Sequence, residues 1–431
     1  MEKTKITSVG LVAFVTLLWL LPWVGKARAA SAPLPPNTPR ANEAPDVTRR
    51  VNCDAGQTIQ DAVDNSNNGD TVLVSGNCNE NVTVGDGRTR VTLDGQGTAT
   101  INGGAAADPG PDVVVIRGRG ITIKGFTITG GRVGINVNRG GTATIDGNVI
   151  QNVGRNGVNV NDGSFARIIN NTIQNNPDSG ISVNGGSTVD IGLSGTPSAR
   201  ISQPNIIQNN GTGISASRSS TARIGFNTIN NNTGRGINVA NNSHAQVGGL
   251  SETGPSGNTI SGNGSDGIRV SGSSQASIAG NTINNNTGRG VSVSDNSSAS
   301  ILADLGPTPN TIQGNGNDGV LVGSSSSAFI SDNSISNNTN VGVRVNRSSQ
   351  AAIRGNTING NGGDGIRVEE NSGVNLDVAN TTTVNNGGVG LRCRFGAYVR
   401  GNVGTLTGAG GATSIDTGAG PTGGCINGLG F

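Results

Sequence analysis

Four arginines stand between two apolar residues in short segments of the same form. The segments are Ile268-Arg269-Val270, Val343-Arg344-Val345, Ile366-Arg367-Val368 and Leu391-Arg392-Cys393. A guanidinium group binds a carboxylate through two parallel hydrogen bonds, so arginines aligned in space would suit an acidic polymer. Glu369 follows Arg367 closely and could pair with these arginines. The alternative interpretation is an ordinary charged strand surface, with Arg347 stacking beneath Glu370 as a second ion pair.

Other residues argue against metal chemistry. The only histidine, His244, lies in NNSHAQ and is expected on the surface, and the four cysteines form no C-x-x-C pair. GNGSDGIRV, GNGNDGVLV and GNGGDGIRV match most of a calcium-binding nonapeptide. They lack its first glycine, are not in tandem, and have Arg289 between the first two. We expect no metal and no cofactor, with calcium as the weaker alternative.

The elements that position the arginines are repeats of about 23 residues. The decapeptide NTINNNTGRG occurs at 227–236 and again at 281–290. Each period contains short segments of alternating apolar residues, separated by Gly, Asn, Asp and Ser, which favours strands joined by tight corners. The pattern predicts an all-β, single-stranded parallel β-helix of about twelve rungs, a rung being one turn of the coil. The repeated asparagines are Asn148, Asn171, Asn205, Asn227, Asn258, Asn281, Asn310, Asn333, Asn356 and the degenerate Asn380.

Stacking explains why polar residues recur. An asparagine at the same corner of every rung can bond to its equivalents above and below, about 4.8 Å away. At another corner, Arg235, Asp266, Arg289 and Asp318 alternate in charge, which predicts a ladder of ion pairs that favours the correct register.

Three longer segments follow alternate rungs, at 192–204, 248–257 and 302–309. They are expected to project as loops from one corner. Insertions of this kind can line a groove or only cover the edge of a solenoid, and the sequence leaves both interpretations open.

Both ends of the coil need covering, because the terminal rungs expose apolar core and strand edges. At residues 51–90 we expect the first strands and a capping helix with Thr58 as N-cap and Ile59, Ala62 and Val63 on its buried face. The β-helix follows over 91–400, with a glycine-rich cap at 401–431. About twelve rungs separate the ends by about 55 Å, whereas a disulfide needs Cα atoms within about 7 Å. The predicted pairs are therefore Cys53–Cys78 and Cys393–Cys425.

The N-terminus has the layout of a secretory signal peptide. Lys3 and Lys5 precede an apolar run, and Ala27-Arg28-Ala29 supplies a cleavage site. Residues 1–29 are predicted to be removed, leaving a proline-rich linker at 30–50. Cleavage would change the formal net charge from +2 to −1, because it removes four basic residues and one acidic residue. The protein is therefore expected to be secreted or periplasmic, with no nucleic-acid partner and no membrane contact after cleavage.

Two stretches resemble a known group of proteins. Cys53–Val74, of the form C-x-x-G-x-T-I-Q-x-A-V followed by G-D-T-V-x-V, resembles the capping start of pectin-lyase-like right-handed parallel β-helix proteins. Val247–Val270 is similar to the repeats of exported bacterial β-helix proteins. The resemblance implies a right-handed coil over roughly 51–400. It does not select an activity, because this superfamily includes lyases, hydrolases, epimerases and copper-maturation factors.

The resemblance also suggests which catalytic residues to look for in this sequence. Pectate-lyase-like members use an acidic calcium cluster and an arginine base, whereas polygalacturonase-like members need paired aspartates and a Gly-His-Gly that this chain lacks. The scarcity of His and Met argues against a metal-maturation factor. We therefore predict a monomeric, non-catalytic structural or carbohydrate-associated module for an anionic polysaccharide, and the alternative is a polysaccharide lyase or other uronan-active enzyme. The predicted ligand-binding residues are Arg269, Arg344, Arg367, Arg392 and Glu369.

Overall fold

The computed structural model describes residues 46–196, 199–249, 256–302, 308–376, 381–402, 404–415 and 424–430. The predicted signal peptide at 1–29 and most of the predicted linker at 30–50 lie outside these residues. Within them the chain winds into a parallel β-helix with three strands on a typical rung. This confirms the predicted fold class.

The strands form three stacks along the coil. The first stack is a separate sheet of 14 strands, called the arginine sheet because it carries the four arginines. Its strands are Val82–Val84, Val114–Ile116, Ile135–Val137, Val158–Val160, Ser179–Val183, Thr212–Ala216, Ile237–Ala240, Ile268–Ser271, Val291–Val293, Val320–Val322, Val343–Val345, Ile366–Val368, Leu391–Cys393 and Thr413–Ile415.

The other two stacks belong to one sheet of 28 strands. The long stack contains Thr48–Asn52, Thr71–Ser75, Thr92–Asn102, Ile121–Thr129, Thr142–Asp146, Phe165–Ile169, Thr188–Ile191, Thr221–Ile224, His244–Gly248, Gln275–Ala279, Ser298–Leu302, Ser327–Ser331, Gln350–Arg354, Gly373–Leu376, Tyr398–Asn402 and Ile426–Gly430. The asparagine stack contains Asn77–Cys78, Val149–Gln151, Thr172–Gln174, Ile206–Gln208, Thr228–Asn230, Thr259–Ser261, Thr282–Asn284, Thr311–Gln313, Ser334–Ser336, Thr357–Asn359, Thr382–Asn386 and Leu406–Gly408.

The core consists of stacked β-branched side chains. In the arginine sheet Val343 pairs with Ile366, and Val345 pairs with Val368, while the residue between them points outward on each strand. The four core residues are 0% exposed. Branched side chains suit such pleated, buried surfaces, and a one-residue slip would place them all outside. The core therefore fixes the register in which the outward arginines align.

The asparagine ladder confirms the stacking prediction. Asn258 Nδ2 donates to Asn281 Oδ1 at 2.9 Å, and the backbone N–H of Asn258 donates to the same oxygen at 2.9 Å. Its amide also bonds to the backbone oxygen of Ile224, so the side chain satisfies buried backbone groups. A second ladder, not predicted, runs through the last asparagine of NTINNN and includes Asn232, Asn263 and Asn286. Asn380 lies outside the described residues.

The expected count of about twelve rungs is slightly low, because the arginine sheet alone has 14 strands. The uncounted rungs lie near the N-terminus. There, Thr92–Asn102 and Ile121–Thr129 continue through the corner and take part in both stacks of the larger sheet. Gly97 and Gly125 turn these corners with φ of 78° and 69°, so the rungs need no asparagine there and lack the repeat's marker.

A short helix covers the first rungs, as predicted. It spans Ile59–Asp64, and Thr58 caps it by accepting a hydrogen bond from the backbone of Asp61. Ile59 and Val63 are buried, at 0% and 1% exposure, so the helix packs its apolar face on the open end of the coil. A single turn of 3-10 helix, Cys53–Ala55, precedes it. No helix in the part of the chain that the structure describes is long and apolar enough to cross a membrane.

Two disulfides connect residues near the two ends in the predicted pairs. The Cα atoms are 5.0 Å apart in Cys53–Cys78 and 5.7 Å apart in Cys393–Cys425. Disulfides of this kind are typical of proteins in oxidising compartments.

The first of the three long segments forms an antiparallel hairpin, with strands Leu193–Thr196 and Ala199–Ser202. Residues 250–255 and 303–307 of the other two lie outside the described residues, so both interpretations of the three loops, a groove lining and an edge cover, stay predictions.

Candidate functional site

The outward positions of the arginine sheet place the predicted arginines in one column. Arg344 pairs in register with Arg367, and Arg367 with Arg392, so these three occupy consecutive rungs about 4.8 Å apart. Arg269 lies in the same column but is separated from Arg344 by Ser292 and Leu321. The column is therefore divided into a contiguous part and one distant arginine.

A buried aspartate holds two arginines of the contiguous part. Asp364 is 1% exposed and sits at the corner before the strand Ile366–Val368. Its Oδ2 accepts from Arg367 Nε at 2.7 Å and from Arg392 Nε at 2.7 Å. Its Oδ1 accepts the buried N–H of Val389 at 2.9 Å. Asp364 thus fixes both guanidinium groups while satisfying a backbone donor of the next rung.

A second buried carboxylate, Glu369, binds two further arginines, Arg344 and Arg394. It is one of the predicted ligand-binding residues, and it is buried, at 1% exposure, with two arginines donating hydrogen bonds to it. Arg344 Nε donates to Oε1 at 2.8 Å, with a second bond from Nη2. Arg394 Nε donates to Oε2 at 2.9 Å. The accessible charge at this place is therefore that of the arginines rather than that of the carboxylate.

The protonation states of this cluster are fixed by the same contacts. Burial would raise the pKa of Asp364, but hydrogen bonds from Arg392 and the Val389 backbone hold it below the usual value. Likewise, burial would raise the pKa of Glu369, and bonds from Arg394 and Arg344 lower it. The hydrogen bond to Asp364 raises the pKa of Arg392. The carboxylates remain ionised, and Arg392 is a poor proton acceptor.

We call this group the clamped arginine patch; it consists of Arg344, Arg367, Arg392, Arg394, Asp364 and Glu369. Four guanidinium groups share two carboxylates, which leaves an excess of two positive charges. The side chains of Arg344, Arg367 and Arg392 are 25%, 19% and 30% exposed. Positive charge held rigidly at a surface favours anions with little loss of side-chain entropy.

A groove adjoins the patch on the same sheet. It has a volume of about 300 Å³ and runs over Ser292 and Leu321, with Arg269 at one end and Arg344 at the other. The rungs of Ser292 and Leu321 carry shorter outward side chains, Ser294 and Gly323 among them, than the arginine-bearing rungs on either side. This difference in length forms the groove.

The charges around the groove are mixed. Arg269 Nη2 lies 3.4 Å from Asp295 Oδ2, and Arg347 Nε lies 3.8 Å from Glu370 Oε2. Asp295 and Glu370 are rim residues whose side chains are 51% and 47% exposed. The groove is therefore more nearly neutral than the clamped arginine patch.

The corner column beneath the groove contains the predicted charge ladder in part. Arg289 lies between two carboxylates, at 3.8 Å from Asp266 and 3.7 Å from Asp318. Arg235 forms no ion pair among the described residues, and burial lowers its pKa. Asp318 is 0% exposed and its Oδ2 has no hydrogen-bond partner within the described ranges. Burial raises the pKa of Asp318, opposed by the Val341 backbone and Arg344.

The aspartates of the calcium-like segments have a structural role in the corner. Asp266, Asp318 and Asp364 each accept the backbone N–H of the next rung, at 2.9, 3.1 and 2.9 Å. One cluster of metal-ligand atoms occurs in the described residues, formed by Cys53, Cys78 and Glu80, but both cysteines are in a disulfide. Disulfide sulfurs are not the thiolates that bind metals.

Two residues of the clamped arginine patch, Asp364 and Arg394, were missed by the sequence reasoning. Asp364 was considered only as part of a calcium-like segment, although its spacing of three residues before Arg367 signals an ion pair. Arg394 aligns with Glu369 one rung later, a relation visible only once the register is known. His244 is exposed, on the long stack and away from the arginine sheet.

This architecture defines a class of protein. The sequence matches the family described as "Right handed beta helix region" over residues 53–192, 191–305 and 255–403. The chain belongs to this right-handed β-helix family, as its resemblance to pectin-lyase-like proteins implied. No curated protein matches the sequence.

Solved structures share the fold at low identity. A periplasmic alginate epimerase, AlgG, is 15% identical over 89% of this chain and 84% of its own, with a TM-score of 0.44. The A-module of the mannuronan C-5 epimerase AlgE6 from Azotobacter vinelandii is 14% identical over 86% of this chain and 93% of its own, with a TM-score of 0.42. Pectate lyase Pel9A is 12% identical over 88% and 81%, with a TM-score of 0.33. These likenesses concern the fold alone.

Proposed function

We propose that this protein is an exported, monomeric, non-catalytic module that binds an acidic polysaccharide through the clamped arginine patch. The observation that carries the proposal is the pair of buried carboxylates, Asp364 and Glu369, each of which holds two arginines. The guanidinium groups are thereby fixed in a row along the coil, with positive charge in excess. Such a row suits the regularly spaced carboxylates of an extended polymer.

The protonation states favour binding over catalysis. A lyase must remove a proton beside a carboxyl group, and its base must be able to accept that proton. The raised pKa of Arg392 and the lowered pKa values of Asp364 and Glu369 oppose both base and acid roles. The uronan-active enzyme remains the alternative that the experiment must separate.

Export is supported by two features. The predicted signal peptide directs the chain out of the cytoplasm, and the disulfides near both ends fit an oxidising compartment, whether periplasmic or extracellular.

The test measures retention of uronic-acid polymers by the full chain, with and without calcium. In parallel, unsaturated products are followed by ultraviolet absorbance. We expect retention that weakens with salt and about tenfold weaker binding for Arg392→Gln, which removes a charge-assisted contact.

The matched control is Arg223→Gln. Arg223 makes the same type of contact, Nε to the buried Asp190 at 2.6 Å, but it lies on the long stack. It should bind as the unmodified protein does. Equal loss in both variants would contradict a site on the arginine sheet. Turnover that disappears in Arg367→Ala would establish the enzyme instead.

A further inference from the structure

The groove beside the clamped arginine patch differs from the patch in three respects. Its floor includes the apolar side chain of Leu321, at the position that arginine occupies on the next three rungs. Its rim carries Asp295 and Glu370, both half exposed. The groove also continues along the coil into Arg344, the first residue of the patch. A polymer lying on the sheet would therefore cross two chemically distinct sections.

Leu321 interrupts the column of arginines, at the position equivalent to that of Arg367. In the segment ending at Arg367, the corner Asp364 binds the arginine three residues later and the arginine of the next rung. In the equivalent segment the corner residue is Asp318, and the residue three later is Leu321. Arg344, on the next rung, turns to Glu369 instead. Leucine in place of arginine at position 321 thus gives the groove an apolar floor and leaves Asp318 Oδ2 without a hydrogen-bond partner in the described residues, with Arg289 3.7 Å away as its ion-pair partner.

The groove suits an uncharged sugar better than a uronate. The faces of a pyranose ring present C–H groups, which pack against an apolar side chain such as Leu321. Its hydroxyl groups can donate to the carboxylates of Asp295 and Glu370 and accept from Arg269. Four arginines and three acidic residues line the groove, and its two rim carboxylates are paired with Arg269 and Arg347. A uronate in the same place would have to compete with these carboxylates for the arginines, whereas a neutral sugar leaves both ion pairs intact.

We infer that the groove is a subsite for a neutral sugar, and that the ligand is a heteropolysaccharide in which neutral and acidic sugars alternate, rather than a uniform polyuronate. This inference rests on the proposed function, since it assigns the acidic sugars to the clamped arginine patch. The neutral sugar lies over Leu321 between Arg269 and Arg344. The rim carboxylates discriminate against uniform polymers.

The experiment compares two probes with the full chain at one ionic strength. Hyaluronan alternates a uronate with a neutral N-acetylated sugar, whereas polygalacturonate has a carboxylate on every sugar. We expect hyaluronan to bind about tenfold more tightly at equal uronate concentration. Equal or tighter binding of polygalacturonate overturns the inference but leaves the proposed function intact. Failure to bind either polymer, or any other uronan, refutes the proposed function and the inference with it.

Substitutions test whether Leu321 is responsible for the preference for hyaluronan over polygalacturonate. Leu321→Arg extends the contiguous column by one arginine and offers Asp318 the partner that Arg367 gives to Asp364, so it should weaken hyaluronan and strengthen polygalacturonate binding. Phe329→Arg, at an exposed position of the long stack, adds the same charge elsewhere and should leave the preference unchanged.

The rim is tested independently of the floor by Asp295→Asn combined with Glu370→Gln. Both substitutions are at half-exposed positions and preserve side-chain size, so the fold should tolerate them. Polygalacturonate affinity should then rise several-fold with little gain for hyaluronan. An unchanged ratio of the two affinities in both this variant and Leu321→Arg overturns the inference.

Discussion

Replacing Asp364 by asparagine tests whether one carboxylate organises two of the surface arginines. The amide of Asp364→Asn can still accept the N–H of Val389, so the backbone contact and the side-chain volume are kept. The charge that pairs with Arg367 and Arg392, both at 2.7 Å, is lost. Breaking a buried ion pair from one side costs about 3–5 kcal/mol. Because the side chains of Arg367 and Arg392 are 19% and 30% exposed, solvent screens their charges in part, and we expect a cost of about 3 kcal/mol.

The effect should be local, because each rung of a solenoid contacts mainly its neighbours. Native-state hydrogen exchange of residues 343–402 is therefore the appropriate measurement, since a single global midpoint does not describe stepwise opening. The control is Asp295→Asn, which breaks an exposed pair at 3.4 Å and should change stability by less than about 0.5 kcal/mol. If the two variants destabilise equally, Asp364 does not organise the patch as described.

Three further predictions concern charge and packing. Asp318→Asn should stabilise the surrounding rungs by about 1 kcal/mol at pH 7 in native-state hydrogen exchange, because the raised pKa means that ionisation of Asp318 opposes folding; destabilisation would contradict this. The stabilisation from Asp364 and Glu369 should be full above about pH 5, beyond the unfolded pKa values of both groups, and should be lost as the pH falls through their lowered folded pKa values. The stabilisation from protonated Asp318, whose folded pKa is raised, should instead be lost as the pH rises; hydrogen exchange of the rungs measured against pH tests both signs. Asn258→Ala should lower the local free energy of opening by about 3 kcal/mol in hydrogen exchange, because it leaves buried backbone groups unpaired. The control Asn284→Ala, on the outward side of its strand, should lower it by less than about 0.5 kcal/mol. Similar losses in the two variants would argue against the ladder.

Much of the fold is predictable from the sequence because stacking repeats one local environment. The recurring Ile and Asn reveal the period, and the period aligns Arg344, Arg367 and Arg392. The first rungs are harder to count, because long strands that turn at Gly97 and Gly125 lack the marker asparagine.

The contacts of the site are less predictable than its alignment. Whether the side chain of a corner residue such as Glu369 points to solvent or packs beneath an arginine depends on the backbone conformation at that corner. The neighbouring residues in the sequence do not specify this conformation. Arg344, for example, binds Glu369, which lies 25 positions later in the sequence, rather than Asp318. Side-chain pairing across rungs therefore needs the three-dimensional register.

The repeated decapeptide has a consequence for how such a coil can change in length. Asn227 and Asn281 occupy the same place two rungs apart, and the residues before them, Phe226 and Gly280, share a φ of 67° and 70°. Excising residues 227–280 would join equivalent corners, keep the asparagine ladder continuous and leave both disulfide-linked ends untouched. It would also remove Arg269 and with it one wall of the groove, while the clamped arginine patch would remain. Recombination between the two copies could thus shorten the coil and remove one wall of the groove in one step.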